Sequence, residues 1–387
     1  MRKLFSILFL AVLVLIGSAS VASAQQNKTW DLGVYPGGTY VNPDAINNSG
    51  IVVGYGDVPP NGYTHPLGVP LFGPNAGKWF DLGTLGGEGT YDVEASAVAD
   101  NGMIVGYTWI TGDSYPQAFA WTPKGGMVDL GGLGATGTLA SFANNINKSG
   151  TLIVGTAYDA NGNGFGVVWT PTVVWNKGVP TTTWHIQELP TESGTIISGI
   201  NYFALGVNNS GQIVGGTCCD PSTTETPVIW NPVRGGKWTI ATLPLSVDYP
   251  NGNVTNINDY GQIAGGVWTF SPSLLIAPAL WEKIPPSQNT WKLIVLATPS
   301  GSVETFTTGI NDLGDVVGYG YGETFGPLGE YWSTKNPNAF HLLNFPEASS
   351  PGAWCVGLGV NDLRIAVGVF PNNALGTLDG FAVQLSH

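Results

Sequence analysis

Charge is scarce in this chain. Only 10% of its 387 residues are charged, and 13 Lys and Arg stand against 26 Asp and Glu for a formal net charge of -13. No basic cluster exists beyond Arg2 and Lys3, so nucleic acid, whose phosphates need such a patch, is not an expected partner. Cysteine is scarcer still: Cys218, Cys219 and Cys355 are an odd number and too few for a disulfide framework. Cys218 and Cys219 are either a vicinal disulfide or two thiols. Cys355 belongs to a distant repeat, beyond the roughly 7 Å Cα separation that a bridge tolerates, and is expected to be unpaired. His65, His185, His341 and His387 include no pair at metal-ligand spacing. No nucleophile elbow and no glycine-rich phosphate loop ahead of a helix is present. Long hydrophobic runs are also missing, apart from Leu4 to Ile16, which falls short of the roughly 20 residues of a membrane span. That run follows Arg2 and Lys3 and precedes Ala22-Ser23-Ala24, the pattern of a secretory signal peptide over residues 1–24. The mature chain is expected to begin near Gln25, secreted to the periplasm or the exterior, with no membrane insertion and no cysteine at the cut to take a lipid.

What is abundant is glycine, 56 residues, and aromatics, 11%. Polar solubility then falls to Asn, Thr, Ser and backbone, as in exported β-proteins with many turns. Aligned on itself, the chain repeats with a period of roughly 50 residues. An apolar residue, usually followed by Asn, leads into a turn and then a β-branched run ending in Gly. The copies open at Ile46, Val98, Ile146, Val207, Ile257, Ile310 and Val360, and their glycines are Gly54, Gly106, Gly155, Gly215, Gly265, Gly318 and Gly368. Turns such as Asn48-Ser49-Gly50 and Asp259-Tyr260-Gly261 supply the positive φ of a tight hairpin. Arg364 replaces that glycine in the last copy, which predicts a looser or different turn there. The leading Asn residues read as caps of their own turns.

A third strand follows each hairpin, carrying Trp121, Trp169, Trp230, Trp281 or Trp332 as core aromatics, with Phe72 and Val383 as the outlying members. A fourth strand comes next, as in Trp79-Phe80-Asp81-Leu82 and Met127-Val128-Asp129-Leu130. Four strands per period predict the blade of a β-propeller, here an all-β, seven-bladed one with four antiparallel strands per blade and a single domain over residues 25–387. The chain ends at Phe381 to Leu385 without a fourth strand, while Trp30-Asp31-Leu32-Gly33 stands unpartnered ahead of the first hairpin. Pairing the two would remove an open edge, so the N-terminal strand is expected to close the last blade. Small residues before the hairpin (Ala45, Ala97, Gly206, Gly309, Gly359) fit crowding of inner strands near an axis.

At Asp81-Leu82-Gly83-Thr84-Leu85-Gly86-Gly87, at Asp129-Leu130-Gly131-Gly132-Leu133-Gly134 and at Gln117-Ala118-Phe119-Ala120-Trp121 the chain resembles the bacterial extracellular HAF-repeat family. The hairpins extend the resemblance over nearly the whole mature chain. It departs from the pattern where Gln117 stands for the usual His and where later repeats lose Asp-Leu-Gly. The resemblance implies an exported repeat protein and brings no activity or catalytic residue with it.

The candidate site lies on the face formed by loops joining second to third strands and one blade to the next. Trp109, Tyr158, Trp268 and Tyr321 share one offset from the hairpin glycine in four repeats, and flat aromatic faces stack on sugar rings or pad the blade tops. Acids recur in the same loops, at Asp57, Asp113, Asp159, Asp220, Glu323 and Asp379. Asp159, Asn161 and Asn163 match the first half of a calcium loop, but Thr170 stands at its twelfth position, and an Asn-Gly turn is the plainer reading. Calcium is thus the one cofactor the residues admit. The leading expectation is a non-enzymatic binding or scaffold module, with a polysaccharide or surface glycan as partner. A secreted polysaccharide-acting lyase or glycosidase, using paired carboxylates on that face, and a purely structural extracellular protein remain the alternatives.

Overall fold

The computed structural model describes residues 28–87, 93–112, 115–133, 139–176, 179–192, 201–218, 225–270, 273–285, 290–322, 326–343, 345 and 354–386. The expected signal peptide, residues 1–24, lies outside them, as do Asp113, Cys219, Asp220 and Glu323. The described residues hold 28 strands and no helix. β1 (Thr29–Gly33) stands alone at the start. The first consecutive set is β2 (Val41–Ile46), β3 (Ile51–Val58), β4 (Tyr63–Pro70) and β5 (Phe80–Asp81). Next come β6 (Glu94–Val98), β7 (Ile104–Trp109), β8 (Pro116–Thr122) and β9 (Gly126–Asp129), then β10 (Ser141–Ile146), β11 (Ile153–Tyr158), β12 (Gly164–Asn176) and β13 (Val179–Glu188). The fourth set is β14 (Asn201–Val207), β15 (Ile213–Cys218), β16 (Pro227–Val233) and β17 (Lys237–Thr242), followed by β18 (Asn251–Ile257), β19 (Ile263–Thr269), β20 (Leu275–Lys283) and β21 (Trp291–Val295). Then come β22 (Ser302–Ile310), β23 (Asp315–Gly322), β24 (Leu328–Ser333) and β25 (Asn336–Leu342), and last β26 (Val356–Val360), β27 (Ile365–Asn372) and β28 (Thr377–Gln384).

Each set is an antiparallel meander, and the β18 and β22 sets are joined only by one parallel bridge, Ile276 to Glu304. The first strand of every set contacts the first strand of the next, and β26 contacts β2, so the sets close into a ring with these strands innermost. This is the β-propeller architecture. The last meander has three strands of its own. Its fourth is β1, antiparallel to β28 with Thr29 opposite Val383 and Trp30 opposite Ala382, as the unpartnered Trp30 to Gly33 segment predicts.

The repeat glycines have a cause that no local pattern shows. Opposite each, the innermost strand carries a β-bulge, for example between Pro43 and Ala45, Ala204 and Gly206, and Thr307 and Gly309. The bulge drives a carbonyl into the space of the missing side chain: a Cβ on Gly54 would lie 1.8 Å from the Asn42 oxygen, on Gly215 1.8 Å from that of Phe203, and on Gly265 2.2 Å from that of Asn253. Bulges bend strands and increase twist. Here they fit the innermost strands around the axis, where even a Cβ on Gly359 would approach the Asp44 oxygen to 2.8 Å.

The leading Asn residues cap their own turns and also staple neighbouring sets together. Asn311 Oδ1 accepts from Asp315 N at 2.8 Å, while its Nδ2 donates to the Asn361 carbonyl at 2.8 Å. Asn361 donates likewise to Asn47 O, Asn47 to Ala99 O, Asn208 to Asn258 O and Asn258 to Asn311 O. Asn147 differs, its Nδ2 going to Ser149 and Thr151 hydroxyls of its own turn.

Between sets the core is apolar. Trp169, Trp230, Trp281 and Trp332 are fully buried, and the last three donate indole N–H to Pro190, Pro244 and Ala297 carbonyls, each one residue beyond the buried leucine that ends the preceding set. Two expectations are corrected. In the first set the ladder position of these tryptophans is Val69, opposite Val52; Phe72 lies beyond the strand, 41% exposed, with its ring edge-on to Trp30. And the Arg364 hairpin is not a different turn. Arg364 takes the same left-handed conformation, φ 61°, as Gly314 at φ 83°, and its N–H closes the same bond to the Asn361 carbonyl. Its guanidinium reaches Asp315 Oδ1 at 2.9 Å and the Ser386 carbonyl at 3.2 Å, contacts a glycine could not make and which offset the roughly 1–2 kcal/mol of that backbone state. Cys218 is disulfide-bonded and Cys355 is a buried free thiol, as expected of the latter; Cys219, the third cysteine, lies outside the described residues.

Candidate functional site

The ring encloses a channel of about 380 Å³ walled by the innermost strands, with the bulge residues Asp44, Ser96, Asn144, Leu205 and Thr308 among its lining. Its two ends differ. At the hairpin end, one residue of each turn lies beside the next, and their side chains bond around the ring: Asp362 accepts from Asp312 N, Asp312 from Asp259 N and Asp259 from Asn209 N. Lys148 reaches across to Asp312 at 2.5 Å and Asp362 at 2.8 Å. Burial would favour its neutral form, but these two carboxylates hold it protonated, and Lys148 in turn, against burial, keeps the Asp362 carboxyl below its ordinary range. The turns at this end are tied to one another by charge.

At the opposite end the channel meets a larger cavity of about 660 Å³. Trp268 near the end of β19, Phe270 just beyond it, and Leu274 and Ile276 at the start of the next strand form one wall, so the cavity opens on the face of the second-to-third-strand loops. Phe306 and Thr307 of β22 stand on another side, with Asn144, Leu205, Asn253, Glu94 and Glu225 completing the polar and inner lining. Phe270 is 68% exposed and Leu274 is 41% exposed, which leaves an apolar lip beside the opening.

Glu94 and Asp44 both stand in the channel wall. Tyr107 Oη donates to Glu94 Oε2 at 2.7 Å, and Asn42 Nδ2 donates to Asp44 Oδ1 at 2.7 Å. Asp44 Oδ2 is screened from solvent with no hydrogen-bond partner. Burial, then the charge of Glu94, push the Asp44 carboxyl well above the usual carboxylate range despite the Asn42 bond. Burial and the same Glu94 charge push the Tyr107 phenol far up, and burial alone raises Glu225. Burial of this kind favours the protonated form of a carboxyl over its anion.

Of the four aromatics sharing one offset, Trp268 lines the cavity and the others are not in its lining. Trp109 ends β7, partly buried, under the chain at Gly87, whose N–H bonds its carbonyl. Tyr158 ends β11 with its ring edge-on to Phe142, 6.3 Å between centroids, and burial raises its phenol. Tyr321 is 37% exposed and edge-on to Tyr319 at 5.8 Å. Among the expected acids, Asp57 is buried and caps the Thr39–Tyr40 backbone, accepting both amides at 2.7 and 2.9 Å. Asp379 is buried and takes one bond from Asn372. Asp159 accepts from the Asn161 and Asn163 amides at 2.8 and 2.9 Å and from both Asn side chains; against slight desolvation these bonds lower its carboxyl. Both Asp159 oxygens are therefore engaged by the turn itself. Among the described residues no group of three or more His, Cys, Asp or Glu side chains is placed to hold a metal ion. The carboxylates that line the cavity are Glu94, the first residue of β6, and Glu225, in the loop ahead of β16; neither occupies a position that the repeats share as an acid, so no sequence signal marks them.

No family model matches the chain, and no curated protein does. Among solved structures, it is similar to TolB from Acinetobacter baumannii at 12% identity and TM-score 0.46, over 76% of this chain and 63% of that one. The putative TolB from Agrobacterium tumefaciens follows at 11% and 0.43, over 69% and 84%. A Trypanosoma rangeli sialidase, solved with 2,3-difluorosialic acid as a covalent intermediate, gives 11% and 0.42 over 92% of this chain and 58% of that one. The chain spans less than two thirds of the first TolB and of the sialidase. None of these likenesses is close enough to bear on what this protein does.

Proposed function

We propose that this chain is a seven-bladed β-propeller of the HAF-repeat kind, exported from the cytoplasm, which acts as a non-enzymatic module binding carbohydrate in the cavity on its loop face. The 28 strands in fours support the blade number. The observation that carries the binding reading is the cavity of about 660 Å³ with Trp268 on its wall and Asn144, Asn253 and Glu225 around it. A flat aromatic face against amides and carboxylates is what an apolar sugar face edged with hydroxyls requires. Affinity electrophoresis in gels cast with candidate polysaccharides tests it. Trp268→Ala abolishes retardation at unchanged melting temperature if the reading is right; retained retardation removes Trp268 from the site.

One observation favours a polysaccharide-acting enzyme as second reading. Asp44 lies in the channel wall with its carboxyl pushed upward by burial and by the charge of Glu94, and carboxylates set apart by their surroundings in this way divide acid and base roles. Release of reducing ends or unsaturated products by the wild type, absent in Asp44→Asn, decides for it.

A further inference from the structure

We propose that the saccharide taken by the loop-face cavity carries free amino groups, their ammonium charges offsetting those of Glu94 and Glu225 while the apolar face of one of its rings lies on Trp268. The inference rests on the saccharide reading above and adds the charge of the ligand to it.

The lining is one-sided. Its ionisable groups are the carboxylates Glu94 and Glu225, and no Lys, Arg or His side chain is among the described lining residues. The nearest cation in the channel, Lys148, is committed at the far end to Asp312 and Asp362. Just inside the channel stands Asp44, with an oxygen screened from solvent and unpartnered. An anionic sugar entering here would meet these carboxylates with no described lining cation to offset them. A neutral one can offer hydroxyl donors to Glu94 and Glu225 but no charge to balance them where Leu205, Ile276 and aromatic rings partly exclude water. An ammonium group reverses both terms. It pairs with the carboxylates in a partly desolvated setting, and the faces of Trp268 and Phe306 attract it through their ring quadrupoles.

The proposal also predicts a proton. Burial and the charge of Glu94 raise the Asp44 carboxyl, opposed by Asn42. A cation beside Glu94 weakens that repulsion and lowers the Asp44 pKa, so binding moves the proton balance toward release, whereas a neutral sugar leaves the repulsion in place.

The experiment is isothermal titration of the full mature chain with three probes: a β-1,4-linked glucosamine hexamer, the N-acetylglucosamine hexamer and an oligogalacturonate. The glucosamine hexamer binds at least about tenfold tighter than the acetylated one, with the oligogalacturonate weakest, and its heat varies with buffer ionisation enthalpy as protons leave. Glu225→Gln removes most of that preference at unchanged melting temperature, and serves alone should Glu94→Gln fail to fold. Equal affinity for the two hexamers, or preference for the acetylated one, overturns the charge inference and leaves the saccharide reading standing. Binding of none of the three overturns the inference and, with no retardation on any polysaccharide gel, the saccharide reading as well.

Discussion

Replacing Asn311 by Ala tests whether the ring is stapled by side-chain amides and not by packing alone. Asn311 is 1% exposed. The substitution removes the acceptor of the Asp315 amide at 2.8 Å, the donor to the Asn361 carbonyl at 2.8 Å and the donor to Asp315 Oδ2 at 2.9 Å. Each bond is worth about 1 kcal/mol net, and an orphaned buried amide or carbonyl costs about 1–3 kcal/mol more, so a loss of about 4–6 kcal/mol is expected. Asn147→Ala is the internal control. It removes the acceptor of the Thr151 and Leu152 amides but orphans no carbonyl in the next set, and so costs about 1–2 kcal/mol. Urea unfolding of both variants measures the difference, which is the staple's own contribution. Equal losses, or a loss under about 1 kcal/mol for Asn311→Ala, would refute the stapling argument. Ala99, the natural occupant of the equivalent position in the second repeat, shows that one staple can be spared, since its carbonyl still accepts from Asn47.

Two further outcomes follow from the same geometry. Gly265→Ala places a Cβ 2.2 Å from the Asn253 oxygen and must expel the bulge that shapes the cavity wall; it destabilises by about 3 kcal/mol or more in urea unfolding and costs saccharide binding as well, and a near-neutral result would mean the bulge is dispensable. Glu330 is fully buried with neither oxygen partnered, and burial pushes its pKa from 4.5 up to about 8. Its folded form keeps a proton that the unfolded chain releases, so its contribution is full below about pH 4.5 and falls by up to about 1.4 kcal/mol per pH unit until about pH 8. Glu330→Gln flattens this slope in melting temperature between pH 6 and 9; an unaltered slope would place its origin elsewhere.

Much of the fold is written in the chain at short range. Turn triplets, β-branched runs and the stray Trp30 to Gly33 segment fix the hairpins and the pairing of β1 with β28, because each depends on residues a few positions apart or on a missing partner. What escaped depends on contacts across sets. The glycine at Gly215 reads as the end of a strand, whereas its cause is the Phe203 carbonyl on a bulged neighbour. Arg364 reads as a broken turn because its compensating partner, Asp315, is 49 residues away. Phe72 attracts attention as an aromatic, yet the ladder sets Val69 in that place. The site was legible only in part: position along the hairpin led to Trp268, but a shared offset does not give a shared environment, and Trp109, Tyr158 and Tyr321 meet different neighbours. Glu94 was hidden because a strand residue reveals its outlook on a channel only when the ring has closed, and Glu225 because a loop acid gains a role only from the blades that come to face it.

The most direct measurement is hydroxyl-radical footprinting of the mature protein, read by mass spectrometry residue by residue, with and without a saturating oligosaccharide that the gels show to bind. The account predicts protection at Trp268 and at the exposed Phe270 beside it, with the reactivity of Trp109 and of the part-exposed Tyr321 unchanged. Protection centred on Trp109 or Tyr321, with Trp268 and Phe270 as reactive as in the free protein, would contradict it.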